Sequence, residues 1–518
     1  MKKRIKKIAI VGGGSAGWMT AALLCRQFPQ IDITLIESPN VPIIGVGEST
    51  LGSINYYLGL LGLKDEDWMP YCNATYKLAI KFTDFYQKGE EFYYPFGVKD
   101  TTNTTAGIND WFVKKTQHPE THHNDFYDSF YSCMPFVYEG RIPEEPVPGF
   151  SWKNDSAYQV DATLFGQFLK DQYCLPRGVK YLERHVDGVN LDESGYIDSL
   201  SLRDDDNFEA DLFVDCSGFQ SLLLEKTLGV NFTSFSDILP NNWAWAGPIP
   251  FQDQERETTV VTNCTALDNG WVWNIPLINR TGNGYVFSDK FTTKEAALEE
   301  FKAHLGPRSE GVDFRLVEIR NGVHDRCWYK NCVAVGLSYG FLEPLESTGL
   351  LLIQEAIVKL CETLHNDMIS KIHVDNFNYY MKNTVEHFKI FIAYHFTMSA
   401  RRDTPYWRYM TEEVDMGIDT VKIVGDYAYK FLQSHELSGS IAEGGMPDIF
   451  VGMHQSPINS TQLAITNEIM SGHGKGKTGD LLDPLTQMYW DQKKRRVTNI
   501  MNRSPSHYQY LKKHIYKN

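Results

Sequence analysis

No stretch of this chain reaches the eighteen or so uninterrupted apolar residues that a membrane-spanning helix needs. That excludes a helical membrane protein. The nine cysteines are scattered and odd in number, and none form a C-x-x-C pair. A disulfide framework is therefore excluded, and the usage is that of a reducing compartment, so the chain reads as soluble and cytoplasmic. Positive charge is also short: 50 Lys and Arg face 65 Asp and Glu, for a net charge of −15. Such a balance excludes a nucleic-acid binder. The two basic clusters, KKRIKK at 2–7 and QKKRR at 492–496, read as a solvated terminus and a solvated helix face. His122 and His123 are adjacent, lack i, i+4 spacing and have no flanking cysteines, so they read as a polar loop and no metal site is expected. Internal repeats and low-complexity tracts are missing too.

What the chain has is apolar and aromatic mass, 42% and 13% of 518 residues, enough for a large core in two to four domains or one elaborated unit. Its most informative stretch is KIAIVGGGSAG at 7–17. Ile8, Ile10 and Val11 form a buried strand, and Gly12, Gly14 and Gly17 complete G-x-G-x-x-G before the helix WMTAALLCRQF. The first glycine permits a tight turn, the second lets backbone approach a pyrophosphate, and the third lets helix pack on strand. The helix N-terminus offers orphan N–H groups and a positive dipole end. A second strand, IDITLIE, ends in Glu37, placed to hold a ribose hydroxyl. Lysines ahead of apolar residues give the opening a signal-peptide look. The glycines fall inside that apolar run, so strand, turn and helix is the better reading.

Beyond this βαβ unit at 5–40, GVGEST (45–50) is a glycine-bearing loop, INYYLGLLGL a helix, and ATYKLAIKFTDFY (74–86) one alternating strand. Residues 97–150 read as a long aromatic, Pro-rich excursion with few periodic runs. A helix is expected from Asp161 or Thr163. Successive strands follow through 178–218, ending in DLFVDCSG. The expected architecture is an α/β, glutathione-reductase/hydroxylase-like FAD-binding body over 1–360, with a mainly helical C-terminal region over 361–518 capping the substrate.

Three further stretches carry chemistry. DLFVDCSG places Asp215, Cys216, Ser217 and Gly218 at a strand end, which suits either a second dinucleotide contact or a β-turn; Cys216 reads as a packed core thiol. In FLEPLESTGLLLIQEAIVKL, Ser347 or Thr348 caps a long apolar helix. The amides of Thr348, Gly349 and Leu350 are then free to bind an anion such as phosphate or halide, with Glu346 beside them. In WVWNIP, Trp271 and Trp273 share one strand face, as core packing or as the wall of a passage.

Together GGGSAGW, GVGEST, KLAIKF, WVWNIP, FLEPLESTGL and RRDTPYW (401–407) resemble the flavin-dependent tryptophan halogenase family over residues 5–410. The resemblance implies FAD, delivered reduced (FADH2) by a separate flavin reductase. With dioxygen it oxidises a bound halide to hypohalous acid, which passes through a tunnel to an electron-rich aromatic small molecule. It implies catalytic roles for Lys77, which holds and activates the oxidised halogen, and for Glu346, which polarises it and takes the ring proton. Lys81 lies on the same face of a continuous strand, so periodicity cannot choose between the two lysines. The family's cofactor contacts fall on Gly12, Gly14, Ser15, Ala16, Gly17, Glu37, Val46, Gly47, Ser49, Val186, Asp215, Gly218, Leu337 and Leu350. Halide falls on Thr348 and Gly349. The tunnel and substrate pocket fall on Trp271, Trp273, Pro95, Phe96 and Ser347.

This sequence departs from tryptophan-specific members in two places. Tyr94 and Pro95 stand where those carry His and Leu, and 436–460 holds no Trp or Tyr to clamp an amino acid. A more open pocket for indoles or phenols is the expectation. Chloride, bromide or iodide would serve, the larger two being easier to oxidise. SGHGKGKT (471–478) imitates a P-loop, but Ser471 stands where its first glycine should, so it reads as a glycine loop. His395 is expected to pack within a helix. The alternative activity is a FAD-dependent aromatic monooxygenase using NAD(P)H directly. The sequence leaves homo-oligomer formation open.

Overall fold

The computed structural model describes residues 5–39, 47–104, 107–203, 207–366, 368–416, 441–455 and 482–517. Val46 and the P-loop imitation at 471–478 lie outside them, as do 436–440 and 456–460.

The strand Lys7–Val11 is buried along almost its whole length, as a central parallel strand should be. It pairs in parallel with Asp32–Glu37 on one side (Ile8 beside Ile33) and with Leu212–Asp215 on the other (Ile8 beside Leu212). The six-stranded sheet continues outward to Lys180–Glu183 at one edge, and through Cys332–Ala334 to an antiparallel Trp328–Tyr329 at the other. The helix Ser15–Gln27 buries Trp18, Met19, Leu23 and Leu24. The chain adds parallel strands first on one side of the first strand and later on the other, so the glycine turn at its C-terminal end opens at a topological switch point.

A second, seven-stranded sheet carries Trp271 and Trp273 on Gly270–Pro276. The stretch 74–86 is not one strand. Thr75–Lys77 belongs to a three-stranded sheet with Glu48–Ser49 and Ala157–Val160, whereas Ala79–Thr83 belongs to the seven-stranded sheet. The break is at Leu78, whose N–H donates to Val260 O (2.7 Å) and whose carbonyl accepts from Phe96 N (2.9 Å). Each bond goes to a different neighbour, so the alternation of faces is interrupted there.

The 97–150 excursion contains three short helices, Asn109–Gln117, Asn124–Phe130 and Met134–Glu139. Asp161 caps the helix Ala162–Phe168 as expected, accepting from Leu164 N at 3.2 Å. The described residues of the C-terminal region are mainly helical, with Thr348–Leu364, Lys371–Thr397, Ile441–Gly452 and Pro484–Arg503. Residue 360 falls inside the first of these. The QKKRR cluster is only partly a solvated face: Lys493 is buried in the helix, its Nζ donating to Ser129 O at 2.6 Å. After it, the chain returns to the body through an Arg141–Ser506 bridge. Among the described residues no helix is long and apolar enough to cross a membrane, and no cluster of His, Cys, Asp or Glu could hold a metal.

Candidate active site

The glycine turn is built for close approach. Gly12 has φ +116°, and a Cβ there would meet Cys216 O at 2.2 Å; one on Gly17 would meet Gly12 O at 1.9 Å. Both positions therefore need glycine. Gly14 caps the helix without a side chain and has nothing within 4 Å of its Cβ position, leaving open space in front of the first-turn amides. Glu37 lies against Gly13, its carboxylate accepting from Tyr181 at 3.0 Å. Ser15 donates to Ala162 O, and the 336–338 turn that carries Leu337 packs over Ala16. Val186 begins a strand just after Arg184, whose N–H donates to Glu37 O. These residues form a cradle that fits the adenosine and pyrophosphate of a dinucleotide.

The Asp215 side chain is engaged within the protein. Its carboxylate is fully buried and accepts from Ser217 N and Oγ and from Leu223 N and Leu224 N. Both oxygens accept from amides of the following turn and helix, with Gly218 at φ +70° between them. Cys216 is buried, as a packed thiol.

A second constellation gathers at the mouth of the Thr348–Leu364 helix. Lys77 is fully buried, and its Nζ donates to Ser347 Oγ (2.7 Å), Thr50 O (3.1 Å) and Ser49 Oγ (3.2 Å). Ser49 and Ser347 also bond each other at 2.7 Å. Phe96 presents its ring 5.1 Å from the amine, and Pro95 precedes it at the end of Glu91–Pro95. Burial pulls the amine down to about 7, against the attraction of Cys264 and Glu346. Lys81, past the break at Leu78, is half-buried and pairs with Glu91. The fold thus separates two lysines that periodicity could not.

Glu346 is fully buried, and burial pushes its carboxyl up, against His395 and Lys77. Its Oε1 lies 2.7 Å from His395 Nε2, outside hydrogen-bond geometry, and its Oε2 has no hydrogen-bond partner among the described residues.

A family model described as tryptophan halogenase matches residues 7–430. The chain belongs to the tryptophan halogenase family. Tryptophan 6-halogenase SttH of Streptomyces toxytricini is 35% identical over 428 residues, 78% of this chain and 80% of that protein. Tryptophan 7-halogenase RebH of Lentzea aerocolonigenes is 34% identical over 448 residues, 80% of this chain and 82% of that protein. The structure of Xcc4156, a flavin-dependent halogenase from Xanthomonas campestris, aligns with a TM-score of 0.85 at 29% identity, over 99% of this chain and 98% of that one. As a member of the tryptophan halogenase family the chain is an enzyme with an α/β FAD-binding fold, a FADH2-dependent halogenase of aromatic substrates. A monooxygenase drawing directly on NAD(P)H is not supported.

In this family member the helix at Thr348 lacks the expected cap. Ser347 is in the N-cap position at φ +58°, but its hydroxyl serves Lys77 and Ser49. Thr348 Oγ1 donates instead to Glu343 O at 3.3 Å. The amides of Thr348, Gly349 and Leu350 are left without a capping side chain, which fits an anion. Glu48 approaches Gly349, its Oε2 3.4 Å from where a Cβ would be. Burial, helped by Asp161, raises its carboxyl to about 7, so it does not hold a full negative charge against an anion near neutrality. Gly47 precedes it at φ +90°, and Leu350 is buried in the first turn.

Trp271 and Trp273 share a face, with ring centroids 6.1 Å apart. Trp271 Nε1 donates to Glu343 Oε2 at 2.9 Å, and Asn241 Nδ2 donates to the same oxygen at 2.8 Å. Trp273 is paired across the ladder with Gly284, where a Cβ would come within 2.1 Å of the indole. Glu343 and Gly284, which hold the two indoles, escaped sequence reasoning. The glutamate sits in the quoted FLEPLESTGL, but nothing local ties it to a tryptophan seventy residues away.

Proposed function

We propose that this enzyme halogenates an indole- or phenol-like small molecule, with Lys77 and Glu346 as catalytic residues. Reduced FAD, supplied by a separate flavin reductase, provides with dioxygen the two-electron oxidation that turns bound halide into hypohalous acid. The amides of Thr348 and Gly349 hold the halide, and the glycine cradle holds the dinucleotide. Trp271 and Trp273 line the passage that keeps substrate from the flavin. Lys77 receives hypohalous acid and holds its halogen over the ring, near Phe96. Glu346 takes the proton that the ring loses.

The observation that carries the reading is the convergence on Lys77. Its buried amine meets hydroxyls from residues 28 and 270 positions away. With all three N–H groups engaged as the ammonium and an amine near pH 7, it can give up one bond to an oxidant or offer a lone pair. The amine lies next to the uncapped helix turn on one side and Phe96 on the other. A cytoplasmic location is supported by nine free, buried cysteines. We keep 1–360 as the FAD body and 361–518 as the helical region.

The test combines the enzyme with a flavin reductase, NADH, FAD, bromide and indole, and seeks brominated indole by mass spectrometry. Product only with the reductase present supports the reading. NADPH oxidation and hydroxylated indole from the enzyme alone would contradict it.

A further inference from the structure

One buried group next to this chemistry has no part in it so far. His395 lies in the long helix Lys371–Thr397 and is fully buried. Its Nδ1 is 2.9 Å from Phe391 O, one turn earlier. A carbonyl only accepts, so Nδ1 carries the hydrogen. The other ring nitrogen, Nε2, is 2.7 Å from Glu346 Oε1, an ion-pair contact off the line of an ideal hydrogen bond. Two lone pairs facing each other at that distance repel. The pair therefore shares one proton, leaving only Oε2 of the carboxylate unengaged.

The ring has no freedom to turn away. Phe82, Phe391 and Phe92 surround it, with centroids at 4.8, 5.3 and 6.5 Å. Phe82 extends from the strand Ala79–Thr83, just past the break that follows Lys77.

We propose that His395 is a positioning residue that keeps Glu346 in its base form and directs Oε2, not Oε1, at the ring proton. This rests on Glu346 being the base. In the step, the C–H bond at the halogenated carbon breaks and its electron pair returns to the ring. The proton forms an O–H bond at Oε2, and nothing is oxidised or reduced.

The groups that face Glu346 explain why it needs this partner. Burial favours its neutral form, and Asp448, from the helix Ile441–Gly452, pushes the same way. Among the described residues His395 and Lys77 oppose them. Lys77 is itself drawn to about 7 by burial and loses charge as pH rises. Cys264 and Tyr94, also close, are held neutral by burial with Glu346 adding to the effect. Without His395 the carboxylate would need a higher pH to form.

The test compares wild type with His395→Phe and His395→Gln, using reductase, bromide and either indole or ring-deuterated indole. Phenylalanine keeps the ring and loses the contact; glutamine restores an N–H donor without a charge. His395→Phe should move the acid limb of the pH–rate profile up by at least one unit. It should also create a primary deuterium effect above 2 on single-turnover product formation. FAD binding should persist, and His395→Gln should fall between the two. A profile and isotope effect equal to wild type in His395→Phe would overturn the proposal; if that variant does not fold, His395→Gln decides it by the same comparison. Glu346→Gln separates the two levels. If it brominates normally, the assignment of Glu346 fails. If it loses product while both histidine variants behave as wild type, only the role of His395 fails.

Discussion

The amide of Tyr76 donates to Nε2 of His507 at 3.1 Å, across 431 residues of chain. The contact ties the C-terminal helix His507–Leu511 to the strand that presents Lys77. On its other side the imidazole faces Thr258 O and Thr259 O at 3.1 and 3.2 Å, so Nδ1 donates and Nε2 accepts. The helix His507–Leu511 thus braces the strand that carries Lys77.

That imidazole gives a pH dependence of stability. Burial draws it down to about 4, against the two carbonyls. Between 4 and the ordinary 6.5 the unfolded chain binds the proton and the folded one does not. The stabilisation is therefore complete above 6.5 and fades as pH falls towards 4, by up to about 3 kcal/mol. Thermal melts should show wild type losing Tm over that range and His507→Asn losing less. Parallel curves would contradict this.

Glu343 works in the opposite sense. Burial raises its carboxyl to about 7, against donors Trp271 and Asn241. The folded state prefers the proton, so this contribution is full below about 4.5 and is lost as pH rises through 7. Glu343→Gln should therefore gain Tm relative to wild type as melts move from pH 6 to pH 8. Glu343→Leu leaves the buried N–H of Trp271 unpaired, and chemical denaturation should show a loss of about 1–3 kcal/mol.

Gly284→Ala inserts a methyl group 2.1 Å from the Trp273 indole. Overpacking of this kind costs about 1–3 kcal/mol. Calorimetry should find a lower Tm, and, if Trp273 walls the proposed passage, brominated indole per flavin oxidised should fall as its ring shifts. An unchanged Tm and yield would show that the indole relaxes freely.

The βαβ unit with its glycine turn was legible because all its signals are local: strand, glycines, helix and Glu37 fall within about thirty residues. The two lysines were not separable, because the break at Leu78 is set by bonds to Val260 and Phe96 from other parts of the chain. Ser347 was legible as a helix-start residue, yet its hydroxyl goes to Lys77, a partner 270 positions away. The same holds for His395, a packed helical histidine by pattern whose free ring nitrogen meets Glu346. At Asp215 the strand-end position was legible, but not that nearby amides take both its oxygens.

The most direct measurement is halogenated product per flavin oxidised for wild type, Lys77→Ala and Lys81→Ala, each first shown to bind FAD. Lys81 pairs with the partly exposed Glu91 beside the Tyr93 ring, so its loss should change stability by no more than about 0.5 kcal/mol and leave product yield alone. Lys77→Ala should go on oxidising reduced FAD, release hypohalous acid to a scavenger in solution, and make no brominated indole. Undiminished bromination by Lys77→Ala would contradict the account.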